Sequence, residues 1–405
     1  MRVSTAQFYF QNSQQLTNNQ SNVNEQVNYL SSGKRVLTAK DDAVSYSTLS
    51  GYKDELSNIE KYQRNITQAK SRNSLQDVSF GNAVDLMQEF KQILIQANNG
   101  VMTEDDFKAL ATQVKNSQAQ LLNIANSKDE TGGYIFSGYQ TDVQPFSLQP
   151  DNNVTYRGDS GTRELQIAKN VNVAMNQAGN VAFENVPNAL GDFDSVYNTS
   201  TSEVAIKLAK IAHPENYDVT PGTGYPPPYN ISFTSPTDLT ITDADGDPLF
   251  STNAFVSGEV ISLSNGVDVQ ISGNPLPGDS IDLIPQENIS IFETLNNALD
   301  WIENSASSTN EEQRQIDYND ILNQVDNAVN HIVSRRSEAG IRMQLIENQE
   351  SNHLDAELYL ESGRSNIEDL DFAKAVATFE QSKVALQAAQ QSFVQIKDLN
   401  LFNFI

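Results

Sequence analysis

The sequence predicts a mainly helical protein carrying a β-rich insertion. Three observations lead there. All 13 prolines lie between Pro145 and Pro285, so the first 144 residues and the last 120 are free to be helical. Apolar residues recur every seven positions in those proline-free flanks. The middle is dense in Gly, Pro and Thr, with short apolar runs separated by turn pairs, the pattern of strands and turns.

The first heptad row is Tyr9, Leu16, Val23 and Leu30. Ser31-Ser32-Gly33-Lys34-Arg35 then makes a polar break, read either as an ordinary connector or as a hinge. A second row, Tyr52, Ile59, Ile66, Asn73, Phe80, Met87 and Leu94, predicts a helix from Asp41 to Asn98, roughly 87 Å long at 1.5 Å per residue. A third helix is expected from Thr103. There Thr103 and Asp106 have capping-box spacing, and Phe107, Leu110, Val114, Leu121 and Ile124 mark one face. After Gly132-Gly133 the period changes to two, through Tyr134, Phe136, Val154, Tyr156, Leu165, Ile167, Val171 and Val173, predicting one β-hairpin appended to the helices.

A mostly-β outer domain is expected over 183–290. A short helix is predicted at Ser202–Ala212, a stiff spacer at Pro226-Pro227-Pro228, and strands at 231–233, 239–242, 260–263, 267–271 and 281–284. Helical signals resume at Ile291. Val325, Ile332, Ala339, Ile346, His353 and Leu360 form another row, and Phe372, Phe379, Leu386 and Phe393 a last one. Ala375, Ser382, Ala389 and Ile396 follow three residues behind these, the a/d spacing of helices packed side by side. The chain is expected to run outward, fold a tip and return. Its discontinuous domains would be 1–40 with 365–405, 41–182 with 291–364, and 183–290.

Composition narrows function. The formal net charge of −26 makes nucleic acid and anionic membrane surfaces poor partners. The absence of cysteine removes disulfides, thiol catalysis and the common zinc sites. No apolar run approaches the length of a membrane-spanning helix, and the Gln/Asn/Ser-rich stretch 1–30 lacks the apolar block of a cleaved secretory signal. His213, His331 and His353 form no metal or catalytic motif, and no Gly-rich phosphate loop occurs. Asp243-Ala244-Asp245-Gly246-Asp247 has three alternating carboxylates. Its glycine stands at position four, and Ala254 occupies position twelve where a calcium loop needs a bidentate Glu, so a β-turn accounts for it. No enzyme, cofactor or metal is expected.

The run Leu30-Ser31-Ser32-Gly33-Lys34-Arg35-Val36 followed by Asp41-Asp42 resembles the N-terminal signature of the flagellin superfamily, with Ala43 where members usually have proline. Met1-Arg2-Val3-Ser4-Thr5, Ala97-Asn98-Asn99-Gly100, Asn123-Ile124-Ala125-Asn126, Tyr134-Ile135-Phe136-Ser137-Gly138, Pro145-Phe146 and Tyr156-Arg157-Gly158-Asp159 follow in family order. Leu370-Asp371-Phe372-Ala373, Leu386-Gln387-Ala388-Ala389-Gln390 and the ending Leu399–Ile405 match the other terminus. The set is more similar to the hook–filament junction branch than to the filament subunit.

The resemblance covers roughly 1–186 and 291–405 and implies a flagellin-like coiled coil and bundle. It also implies a structural subunit of the bacterial flagellum, outside the cell, exported by the flagellar type III route without a cleaved signal. Its implied partners are further copies of itself in a ring, the first hook-associated protein, flagellin and an export chaperone. Tyr9, Leu16, Val23 and Leu30 would pack the N-terminal helix. Phe372, Phe379, Leu386, Phe393 and Ile396 would serve subunit packing and, before export, the chaperone. Burying one Phe is worth roughly 1.5–3 kcal/mol, so such narrow seams are expected to order only with neighbours present. The alternative readings are the bulk filament subunit and a surface adhesin working through the β domain.

Overall fold

The structure is a computed structural model. It describes residues 2–99, 102–150, 152–198, 203–217, 228–305 and 310–401, with residues 2–6 and 396–401 at the level of backbone alone. Met1, Gly100, Ser202, Pro226, Pro227 and Phe402 to Ile405, which the expectations above include, lie outside the described residues, as do the side chains of Arg2 to Thr5 and of Ile396 to Leu401.

Three helices open the chain: α1 (Arg2–Ser32), α2 (Ala43–Ala97) and α3 (Glu104–Ala125). Two small hairpins follow, β1 (Phe146–Leu148) with β2 (Val154–Tyr156) and β3 (Glu164–Ala168) with β4 (Val171–Ala174). After a π-helical turn at Asn180–Glu184 come eight strands: β5 (Phe193–Asn198), β6 (Ala205–Ile211), β7 (Tyr229–Phe233), β8 (Leu239–Thr242), β9 (Pro248–Thr252), β10 (Val260–Ser262), β11 (Val267–Ser272) and β12 (Ser280–Pro285). The chain returns through α4 (Ile291–Ser305), α5 (Glu311–Glu368) and α6 (Phe372–Leu401). It divides into a terminal unit, Met1–Asn65 with Asn348–Ile405, and a central unit, Ile66–Glu347.

Helix boundaries follow local chemistry. Gly33 takes φ +69°, a conformation that ends α1 without Cβ strain. Ser45 N donates to Asp42 Oδ1 at 3.0 Å, so Asp42 caps α2 immediately before Ala43. The capping box of α3 forms as expected, with Asp106 N donating to Thr103 Oγ1 and Thr103 N to Asp106 Oδ2.

In the central unit the heptad rows are buried. Phe80, Met87 and Leu94 of α2 meet a core shared with α3, α4 and α5, where Val325 and Ile332 are fully covered. Ile66 packs in a second cluster with Ile346 of α5 and with Ile167 and Val173 of the second hairpin, and Asn73 is buried as well. Asn73 sits in this apolar row with every polar atom engaged. Its Nδ2 donates to Ala69 O (2.9 Å) and Ala174 O (3.0 Å), and its Oδ1 accepts from Arg342 Nε (2.8 Å). Phe136, Phe146 and Phe183 meet edge-on and seal the first hairpin onto the bundle.

The eight later strands are all antiparallel. They form a five-stranded sheet in the order β5-β12-β7-β8-β9 and a three-stranded sheet in the order β10-β11-β6. Alternate residues of both, including Ile231, Ile241, Ile281, Val269 and Ile271, fill one core.

Two expectations are corrected. Residues 205–211 are strand β6, not part of a helix. Val204 and Ile206 point into the β core, and pairing with β11 carries a bulge at Gln270/Ile271 that shifts the register and brings Ala209 inward. The expected single hairpin is two. Tyr134 and Phe136 belong to neither: they lie in irregular backbone before them, with Phe136 fully buried. Strands β5 and β9 were not anticipated.

Candidate assembly interface

Helices α1 and α6 pair antiparallel in the terminal unit, with Tyr9 near the start of one against Phe393 near the end of the other (ring centroids 5.1 Å apart). The rows named from sequence face this seam only in part. Leu16, Val23, Leu30, Phe379, Leu386 and Phe393 are half-buried, whereas Tyr9 and Phe372 are exposed. No residue from Gln7 to Ser32 is fully buried, and in α6 only Ala375 is, among the described side chains. Against the expectation that these seams order only with neighbours present, α1 and α6 are both helical in the single chain, because each supplies the other with one partner. Phe8 (51% exposed), Phe10 (67%), Val376 and Val384 still point to solvent.

The polar break is more than a loop. Arg35 N donates to Glu368 O (2.7 Å), Leu370 N donates to Gly33 O (3.0 Å), and Lys34 bridges Asp369, so the two connectors run antiparallel as a short ladder. Glu368, with a side chain 7% exposed, receives Lys34 Nζ at 2.7 Å and Lys53 Nζ at 2.9 Å. Burial works against ionisation here, but the two ammonium groups outweigh it and hold the carboxyl below its ordinary range. Asp41 is also held low, by the N–H groups of Thr38 and Leu37 that it accepts. Tyr29 is pushed up to about 12, first by burial and then by Asp41 and Glu25. Sequence reasoning did not single out Glu368 or Lys53. The available signal was a basic pair, Lys34-Arg35, in an acidic chain, mirrored by a glutamate just before the second helix break.

Below the ladder, His353 stacks on Tyr62 at 5.5 Å and 15°, and Gly363 leaves room for the Tyr52 ring, 2.9 Å from where a Cβ would stand. His331 Nε2 lies 2.9 Å from Val181 O, and burial lowers its pKa. His213 pairs with Glu215 on the surface. Asp243 Oδ1 accepts the N–H groups of Asp245 and Asp247, so the acidic run is the turn joining β8 to β9, with Gly246 at φ +87°. Among the described residues no group of three His, Cys, Asp or Glu is arranged to hold a metal ion, and no helix is long and apolar enough to cross a membrane.

The residues of the signature motifs hold the irregular backbone. Asp159 accepts from Tyr139 N and Gly161 N, and Tyr156 Oη donates toward Phe136 O and Asp159 O. A Cβ at Gly158 would meet the Tyr156 hydroxyl at 2.4 Å. The N-terminal helical region of bacterial flagellin matches residues 3–141, and its C-terminal helical region matches residues 322–405, together just over half of the chain.

The chain belongs to the flagellin family.

Within the flagellin family, it is 29% identical over 195 residues to flagellar hook-associated protein 3 of Escherichia coli (strain K12), covering 48% of this chain and 61% of that protein. The match therefore spans about three fifths of that relative's length. Flagellin 1 of Proteus mirabilis is 22% identical over 128 residues, 35% of its length. The solved flagellar hook associated protein-3 of Legionella pneumophila superposes with a TM-score of 0.67 at 27% identity, over 78% of this chain and 98% of that one. The flagellar junction protein FlgL from the same species gives 0.65 and 26%, over 79% and 100%.

Proposed function

We propose that the chain is a structural subunit of the bacterial flagellum at the junction between hook and filament, and not an enzyme. The observation that carries this reading is the extent of likeness. By sequence, hook-associated protein 3 of Escherichia coli is matched at 29% identity over 61% of its length, against 22% over 35% for flagellin 1 of Proteus mirabilis, and solved hook-associated and junction chains superpose with TM-scores of 0.67 and 0.65. In this reading copies form a ring, with the first hook-associated protein on one side and flagellin on the other. Residues 1–40 with 365–405 make the inner coiled-coil domain, 41–182 with 291–364 the bundle domain, and 183–290 the outer domain.

The uncovered faces of α1 and α6 support assembly as their physical purpose. A seam with one large apolar row per helix gains too little to be finished by two helices alone. Before export the row Phe379, Leu386 and Phe393 would lie in a chaperone groove, and afterwards against neighbouring copies. The Gln/Asn-rich start of the chain suits unfolded passage through an export channel, and removal of residues 2–30 is expected to abolish export.

Immunogold labelling of intact flagella tests the placement. Label confined to the hook–filament boundary is expected. Label along the whole filament would establish the bulk subunit instead.

A further inference from the structure

We propose that the seam between the outer β layer and the helical bundle is a proton-sensitive joint, fastened while Asp320 carries its proton and loosened when it ionises. Both sides of this seam belong to the central unit. Asp320 of α5 and Tyr197 of β5 touch at the edge of a cavity of about 180 Å³ that both line together with Asp194 of β5 and Asp317 of α5.

The bonding at Asp320 is lopsided. Tyr197 Oη donates to Asp320 Oδ2 at 3.2 Å and itself accepts Ile206 N from β6 at 3.1 Å, so the phenol ties β5, β6 and α5 together. Asp320 Oδ1 is sealed from solvent and has no hydrogen-bond partner among the described residues. A carboxylate with one oxygen buried and unpaired is the expensive state of this group, and a neutral carboxyl is the cheap one. The surroundings push the same way. Asp317 stands three residues earlier on α5, Asp194 faces Asp320 from β5, and Glu293 of α4 bears on Asp194. Lys207 of β6 is exposed and works in the opposite direction.

Burial therefore lifts the Asp320 carboxyl to about 7, against Lys207 and Tyr197 and with the help of Asp317 and Asp194. Burial raises Asp194 and Asp317 as well. The sign of the linkage follows. Below the ordinary aspartate value of 3.8 the closed and opened seams are both protonated, and pH has no effect through this group. As pH rises from there towards 7 the opened seam ionises while the closed one holds its proton. Stability of docking falls across that window, and the loss is complete above it. His331, also on α5, has a lowered pKa and would weaken its own surroundings in acid, so a readout confined to the seam is needed.

Amide hydrogen exchange on the full chain supplies it, at about pH 5.5 and about pH 8, after correction for intrinsic exchange. Protection of β5 and β6 amides relative to those of α3 is expected to fall at least about fivefold from the lower to the higher pH. In Asp320→Asn, where the phenol keeps an acceptor, the fall is expected to shrink to the smaller part that Asp194 and Asp317 still contribute. Tyr197→Phe removes a bond that favours the charged form, so its midpoint should move to higher pH. A smaller fall in the unaltered chain, the same fall in Asp320→Asn, or an unmoved midpoint in Tyr197→Phe would each overturn the joint.

Discussion

Two pairs of helices in this molecule carry the same seven-residue period and end in opposite states. Along α2, Ile59, Ile66, Asn73, Phe80, Met87 and Leu94 are all 3% exposed or less, and along α5 so are Val325, Ile332, Ala339 and Ile346. Along α1 and α6 none of the eight corresponding row residues is fully buried. The difference lies in the second row. Three residues after Ile66, Phe80, Met87 and Leu94 come Ala69, Ala83, Phe90 and Ala97, all fully covered, and Leu49 and Leu56 precede Tyr52 and Ile59 by three. Three residues after Tyr9, Leu16 and Val23 come Asn12, Asn19 and Gln26, and three after Phe372, Phe379 and Leu386 come Ala375, Ser382 and Ala389; Ile396 follows Phe393, with its side chain outside the described residues. A period identifies a helix with a seam. The width of the apolar stripe decides whether that seam closes within one chain or waits for more helices.

The largest effect should separate the two directly. Phe80→Ala removes a fully buried ring that meets Phe136 at 5.4 Å, and is expected to cost about 3–5 kcal/mol in denaturant unfolding. Phe379→Ala, on a half-buried row, is expected to cost less than about 1 kcal/mol in the same assay, while Phe379→Asp is expected to prevent incorporation into the flagellum. Equal costs for the two alanine variants would break the comparison, because the terminal seam would then be as closed as the central one.

Asn73 sharpens it from the polar side. Asn73→Ala strands Arg342 Nε and the Ala174 carbonyl inside a covered seam, so a loss of about 1–3 kcal/mol is expected. Asn12→Ala, on the second row of α1, should leave stability within about 0.5 kcal/mol, since among the described residues its side chain bonds its own helix at Phe8 O. A comparable loss at both positions, read by chemical denaturation, would mean that α1 is more tightly held than its exposure indicates.

Much of this was legible in the sequence, for reasons that particular residues show. Pro145 and Pro285 bracket the β region, because proline excludes helix interiors. The row from Ile59 to Leu94 was visible because long periodic helices outweigh local preferences. The capping box at Thr103 needs only a three-residue spacing. Strand β6 was misread because Val204, Ile206, Leu208 and Ala209 fit a helical face nearly as well as a bulged strand, and only pairing with β11 decides. Tyr134 and Phe136 alternate like a strand, yet Phe136 O accepts from Tyr156 Oη twenty positions away and from Gly179 N further still, a constraint no local pattern records. At the candidate interface the apolar rows were readable. The ladder at Lys34 was not, since Glu368 meets Lys34 across 334 residues.

The smaller effects address what holds each region locally. Thr103→Ala should cost about 1 kcal/mol, a capping loss in a helix whose packing is otherwise unchanged, measurable as a shift in the unfolding midpoint. Glu368→Gln is expected to cost about 0.5–1 kcal/mol near neutral pH, because Lys34 and Lys53 are half exposed and largely screened. Its signature is pH dependence. The carboxyl is held below its ordinary 4.5, so the pairing contributes fully above that value and is lost as pH falls through the lower, folded one. Exchange protection at Arg35 and Leu370 should therefore drop in acid in the unaltered chain and stay flat in Glu368→Gln. Acid loss of equal size in both would show that the backbone ladder, not the charge pair, fixes the two connectors to each other.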